Sequence, residues 1–414
     1  MRSVIITTWP LLLGILLLMV GNGMQGTLLG IRGSLEQFST GQMSVVMATY
    51  FGGFLLGSRV VPGLIQRVGH VRVFAALASS ISSVLILYAA APYWPVWALM
   101  RLLIGFCFSG VYITAESWLN ASTTNESRGQ AMSAYMIVQM LGIITAQLLM
   151  NTADPGGWLL FVIPSVLVSL SFLPILLSTQ PAPQFATLQR MTFGALFRVS
   201  PLGCIGMFLM GGVFSALFGM ASVWGSSKGL GVGDISAFVA AIYVGGLMLQ
   251  YPIGWLSDHG DRRVIVLVLA AAGAAICAAT VLLQPGIWGL ILAAALIGGV
   301  ANPVYSLLLA YTNDFLDNSD MAAASAGLLF INGVGAMAGP LITGWLMSLL
   351  GPDGFWVYIG VLLAMLAAYT GWRRTRRPTP AQDQNFAVIS PSATPVAVEA
   401  ALETASSEDD NRPG

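Results

Sequence analysis

Two ionisable side chains interrupt one long apolar run, residues 97–120: Arg101 near its start and Glu116 near its end. A cation inside a segment of that hydropathy costs at least about 2.5–3.5 kcal/mol in a bilayer, so it is expected to face a bundle interior or a wet cavity. There Arg101 could attract an anionic or carbonyl-bearing solute, or shift a nearby proton equilibrium. Glu116 lies at the far end of its helix, within expected reach of Arg67 or Arg72, and reads as a gate partner in preference to a buried proton carrier. Uncharged polar residues recur at helical spacing in other apolar runs. Asn22 and Gln25 are three apart and share a helix face, Tyr135 and Gln139 share another, and Tyr112 lies past the middle of the run that holds Arg101. Asn302, Tyr305 and Asn332 stand in the second half of the chain. Any one of these could simply bond a neighbouring helix. As a set they read as contacts for a ligand held near mid-membrane.

The elements that must position these side chains are dictated by composition. Of 414 residues, 56% are hydrophobic and only 8% charged, and mean hydropathy is +0.81. Soluble proteins carry about 25% charged residues, so the solvent here is lipid. Runs of roughly 20 apolar residues cross a bilayer as helices. Six such runs fall at about 9–31, 41–65, 71–91, 97–120, 130–150 and 157–177, and six more at 201–224, 235–256, 264–283, 287–311, 322–350 and 355–372. The first contains Asn22 and Gln25 and lacks a small-x-small cleavage site, so it is kept as a mature helix and not a signal peptide. The expected architecture is an all-α integral membrane protein with 12 transmembrane helices in two six-helix pseudo-symmetric bundles. The expected domains are 1–178, a central loop at 179–200, the second bundle at 201–372, and a tail at 373–414 too poor in apolar residues to fold.

An internal repeat supports the two-bundle reading. At a displacement of 193 positions (103 to 296), Leu103-Ile104-Gly105 becomes Leu296-Ile297-Gly298 and Val111-Tyr112 becomes Val304-Tyr305. Trp118 meets Tyr311, Asn120 meets Asn313 and Gly142 meets Gly335 at the same offset. Two copies of six helices have the same orientation in the membrane, and sites in such folds lie near the midplane between the copies. With both termini inside, short cytoplasmic loops receive Arg2, Arg67, Arg72, Arg128, Arg190, Arg198, Arg262, Arg263 and the cluster at 373–377, whereas the other side receives Arg32 and Lys228. That asymmetry sets the expected orientation. It implies a multi-pass protein of a plasma membrane, here a bacterial inner membrane, with cytoplasmic termini.

The loop after the eighth run reads Gly254-Trp255-Leu256-Ser257-Asp258-His259-Gly260-Asp261-Arg262-Arg263. It resembles the Gly-x-Leu-x-Asp-Arg-x-Gly-Arg-Arg signature of major facilitator superfamily transporters. The first-half counterpart, residues 62–72, keeps Arg67-Val68-Gly69 but has Gln66 where the family has Asp. Arg101, Gly105 and Gly110 are similar to that family's arginine-and-glycine motif on the fourth helix, and the ending Glu116-Ser117-Trp118-Leu119-Asn120 is similar to its YcaD-like branch. The resemblance covers about residues 5–375. It implies secondary transport of a small solute by alternating access, coupled to protons or another ion. It also implies that Arg67, Arg72, Glu116, Asp258, Arg262 and Arg263 form charges at the inner mouth that pair across it and latch one state.

Several functions are disfavoured. No phosphate-cradling glycine loop followed by Lys and Ser or Thr is present, which argues against ATP-driven transport. The two histidines, His70 and His259, sit on loops, and no acid, base or metal cluster is legible, so no enzyme and no cofactor is expected. Cys107, Cys204 and Cys277 lack metal or redox spacing and read as small core residues, and scattered methionines such as Met19, Met24, Met207 and Met210 read as packing. Helix five carries no proline, unlike the glycine-proline run of drug–proton antiporters, and no Asp or Glu is placed deep in a helix. The partners expected are a small-molecule solute and the lipid bilayer, with no nucleic acid, and the chain is expected to act as a monomer. A reading from another class makes the chain a transporter-like receptor or scaffold acting through its tail.

Overall fold

The computed structural model describes residues 2–121, 123, 125–176, 191–316 and 318–376. Residues 177–190 and those from 377 onward lie outside this set, and with them Arg190, Arg377 and the expected unstructured tail. The first half contains α1 (Arg2–Leu35), α2 (Thr40–Val68), α3 (His70–Ala90), α4 (Trp94–Ala121), α5 (Asn125–Leu149), α6 (Leu159–Ser171) and its short continuation α7 (Leu173–Leu176). After α8 (Phe193–Val199) the second half contains α9 (Pro201–Ser215), a five-residue π-helical turn (Ala216–Met220), α10 (Ala221–Ser227), α11 (Val232–Asp258), α12 (Arg262–Leu283), α13 (Ile287–Asn313), α14 (Asn318–Leu350) and α15 (Gly354–Arg374). With α6–α7 and α9–α10 each counted as one crossing, twelve apolar helices result, as composition required.

Local chemistry sets the boundaries. Ser39 begins α2 with a reciprocal cap: its hydroxyl accepts the Gln42 amide at 3.2 Å while the Gln42 side chain accepts the Ser39 amide at 2.9 Å. Gly69, at φ 87°, is the single residue between α2 and α3, a backbone conformation that L side chains rarely adopt. Asp261 caps α12 by accepting the Arg263 amide at 2.9 Å. Part of the expected central loop is helical, because Thr192 caps α8 and Ser200 caps α9 just before Pro201.

Packing reproduces the internal repeat. In the first half α2 packs on α4, α1 on α5 and α3 on α6, and in the second half α11 packs on α13, α9 on α14 and α12 on α15. The 193-residue offset falls on the closest crossings. A Cβ at Gly105 would collide with the Tyr50 carbonyl oxygen, and one at Gly298 would collide with that of Ile242. In lipid, where apolar surface gains nothing by leaving the solvent, such close backbone approach is a main source of helix association.

The two halves meet along α2 with α14, α5 with α11, and α1 with α10. At the face holding the α1–α2 and α10–α11 connections the seam is tight. A Cβ at Gly30 would overlap Ser222, whose hydroxyl reaches the Gly26 carbonyl at 3.3 Å, and a Cβ at Gly344 would overlap Ser44. Arg32 reinforces the same face within the first half: it pairs with Glu36 at 2.7 Å and donates to the carbonyls of Pro155, Gly156 and Gly157.

Candidate functional site

Between the halves lies a cavity of about 510 Å³, lined from α1, α2, α4, α5, α8, α9, the π-helical turn, α11, α13 and α14. It runs from Thr27 and Gln147, just beneath the tight seam, to Pro62, Met191, Phe193 and Ala323 near the opposite face. Of the nine expected contact residues, Asn22, Gln25, Arg101, Tyr112, Gln139, Asn302 and Asn332 line it.

Four of these form a chain of hydrogen bonds in the first half. Arg101 donates through Nη1 to Gln25 Oε1 at 2.8 Å, Gln25 Nε2 donates to Asn22 Oδ1 at 3.1 Å, and Asn22 Nδ2 donates to the Tyr112 hydroxyl oxygen at 3.3 Å. The i, i+3 spacing of Asn22 and Gln25 makes this ladder, and Arg101 and Tyr112 on α4 close it at both ends. Arg101 also donates through Nη2 to the Met47 sulfur at 3.2 Å and stands over the Tyr50 ring at 4.9 Å. The residue is 4% exposed, and its Nε has no hydrogen-bond partner among the described residues. Second-half residues are tied differently: Asn302 Nδ2 donates to the Gly298 carbonyl of its own helix at 3.1 Å, and Asn332 Nδ2 donates to the Met207 carbonyl on α9 at 3.0 Å.

Tyr135 and Tyr305 are fully buried and stand off the cavity lining. Tyr305 packs edge-on against Phe214, with its hydroxyl buried and unbonded among the described residues. Tyr135 donates its hydroxyl to Glu116 Oε1 at 3.0 Å. Glu116 has no exposed surface at all, although it lies near the end of its helix as expected. The α4 helix ends within one residue of the expected position, and Glu116, five residues before that end, is covered by α5 through Tyr135. Arg67 and Arg72 are exposed and make no ion pair among the described residues.

The mouth charges of the second copy pair within their own half. Arg262, whose side chain is 2% exposed, contacts Asp314 at 2.5 Å and Asp258 at 4.0 Å, while Arg263 contacts Asp261 at 3.0 Å. Helix starts and ends of α11, α12 and α13 are thereby braced together, and among the described residues no ion pair joins the two halves. This differs from the expected latch across the mouth. The physical reason is position: Asp258 and Arg262 are four apart across the short α11–α12 turn, and Asp314 follows α13, which packs against both helices.

Sequence reasoning passed over several lining residues. Tyr50 and Tyr243, related by the same 193-residue offset, both face the cavity, as do Arg59, Phe51, Phe54, Phe214 and Phe218. Arg59 lies in a strongly apolar run and covers the Phe330 ring at 4.3 Å, joining α2 to α14, and Phe193 packs against Phe330 with ring centroids 5.4 Å apart and the planes tilted by 40°. The offset that singled out Tyr112 and Tyr305 was the signal for Tyr50 and Tyr243. The π-helical turn beside Phe214 and Phe218 had no signature beyond a run of small and apolar residues.

Comparison with known proteins agrees with this architecture. The sequence profile described as Major Facilitator Superfamily matches residues 11–249 and again 204–402. An uncharacterized MFS-type transporter of Yersinia enterocolitica, YE1530, is 27% identical over 371 residues, covering 86% of this chain and 93% of the relative. The uncharacterized MFS-type transporter YcaD of Escherichia coli is 26% identical over 352 residues, covering 82% and 88%. The crystal structure of a mutant of the nucleoside transporter NupG superposes with a TM-score of 0.77 at 14% identity, covering 89% of this chain and 100% of the other. Two six-helix copies around one central cavity, with a profile match that spans both, show that the chain belongs to the Major Facilitator Superfamily of membrane transporters.

Proposed function

We propose that this chain is a secondary transporter that moves a small solute by alternating access through the central cavity, without ATP. The observation that carries the proposal is the cavity itself: it lies between the two halves and takes its lining from both, and close packing of α1 on α10 and of α2 on α14 closes it at one face. A site between two rigid bodies changes its exposure when the bodies rock. The basic loops favour the cytoplasm as the open side, and the bacterial relatives favour an inner membrane. Glu116, buried with Tyr135, is the carboxylate best placed for proton coupling, and the charges from Asp258 to Asp314 hold the second half rigid as it moves.

The test uses single cysteines, which is practical because Cys107, Cys204 and Cys277 are buried. A membrane-impermeant maleimide should label Thr27→Cys from the periplasmic side and Ala326→Cys from the cytoplasmic side. Locking the seam with a Ser44→Cys/Gly344→Cys disulfide should abolish the first reaction and spare the second. If Thr27→Cys is never reached from outside in the unlocked protein, alternating access is refuted.

A further inference from the structure

Among the described residues the cavity is lined by cations with no acid to balance them. Arg101 and Arg59 are its charged lining side chains among these residues, and no Asp or Glu of the set lines it. Arg101 is the unusual one. It is buried at the blind end, its contacts are an amide oxygen, a thioether and an aromatic face, its Nε is unbonded, and no carboxylate lies within ion-pair distance among the described residues. Buried charges are normally paired, because an uncompensated one is costly to desolvate. A guanidinium held at the head of a cavity by neutral groups is a site whose counter-ion arrives with the ligand, and its planar fork suits a carboxylate.

The rest of the wall specifies the rest of the ligand. Phe214 stacks on Phe218 with an interplanar angle of 9°, and Phe218 stacks on Tyr243 at 4.8 Å, giving a ladder of flat faces at the π-helical turn. Such rings receive an aromatic body by stacking or edge contact. Arg59 is nine residues along α2 from Tyr50, the ring beneath Arg101, so the two cations are separated by about 13 Å of helix rise. Arg59 is also engaged with Phe330. One charge at Arg101 therefore suffices for a ligand of this size, since pockets of about 300–1,000 Å³ hold drug-sized molecules.

We infer that the cavity selects a small aromatic organic monoanion, with its carboxylate on Arg101 and its ring system among Phe214, Phe218 and Tyr243. The inference rests on the cavity being the transported solute's site, as proposed above.

Equilibrium binding to the purified full-length protein in detergent tests it without requiring transport. The probes are 1-naphthylacetate and its neutral twin 1-naphthylacetamide. The acid should bind saturably and at least about tenfold more tightly than the amide, a difference of about 1.4 kcal/mol. Arg101→Gln should remove that preference and Arg101→Lys should keep part of it. Gln25→Glu is the sharper variant, because it places a carboxylate where an amide now sits 2.8 Å from Arg101. It should abolish the acid's preference while holding or raising the melting temperature, whereas an Arg101 with only a structural role would leave binding unchanged. Equal binding of acid and amide, no saturable binding of the acid, or a Gln25→Glu protein that still prefers the acid would each overturn the inference. Acid binding together with failed outside labelling of Thr27→Cys would uphold the anion site and refute transport through it. Normal alternation without acid binding would leave a transporter of another solute class.

Discussion

Removing Asp314 should destabilise the protein by about 3 kcal/mol, and removing Arg262 by about 3–5 kcal/mol, because each leaves a buried partner without its charge. Their side chains are 1% and 2% exposed and 2.5 Å apart. At an effective dielectric of about 20 the attraction at that distance is on the order of 6–7 kcal/mol, and desolvation of two ions cancels much of it. The single variants differ because of Asp258. It lies 4.0 Å from Arg262 with a side chain 28% exposed, so an Arg262 deprived of Asp314 keeps a weaker anion nearby. The double variant Arg262→Met/Asp314→Leu replaces both charges by apolar groups and should lie within about 1–2 kcal/mol of the native protein. The coupling energy of the cycle is therefore at least about 4 kcal/mol. Reversible unfolding in mixed detergent micelles, followed by helix content, measures all four corners. Single variants that each cost less than about 1 kcal/mol, or a double variant equal to their sum, would show that this pair does not brace α11, α12 and α13.

Two further outcomes follow from packing and from the buried acid. Gly298→Ala should cost about 1–3 kcal/mol, since its Cβ would strike the Ile242 carbonyl, while Gly63→Ala, whose Cβ meets open space, should change stability by less than about 0.5 kcal/mol in the same unfolding assay; equal effects would remove close helix approach as the reason for glycine at 298. Tyr135→Phe deletes a hydrogen bond to a carboxylate and should cost about 1.5–3 kcal/mol. In proteoliposomes under an imposed pH gradient, Glu116→Gln should lose gradient-driven accumulation but retain exchange of solute across the membrane, and unchanged accumulation would take Glu116 out of coupling.

Much of this protein was legible in one dimension, because lipid imposes its requirements locally. Each crossing must satisfy its own backbone within about 20 residues, so hydropathy alone located twelve helices to within a few positions at most ends. The 193-residue repeat implied that the two halves are built alike, and the helix pairings of the first half do recur in the second. Spacing placed Asn22 and Gln25 on one face, and the structure joins them to Arg101 and Tyr112.

What required tertiary structure was the rotation of each helix about its own axis and the identity of its neighbours. A polar residue in an apolar run must face inward, but inward can mean the cavity, as for Gln139, or a sealed contact between helices, as for Tyr135 and Tyr305. Glu116 reads from the sequence as a residue near a loop, and only the packing of α5 over it makes it a buried acid. Asp314 and Arg262 are 52 positions apart in sequence, and only the packing of α13 brings them together. The absence of any carboxylate beside Arg101 among the described residues is likewise a property of side chains drawn from three helices, and no single stretch of chain contains it. Hydropathy determines that a residue is buried; the azimuth set by glycine-mediated crossings determines what it is buried against.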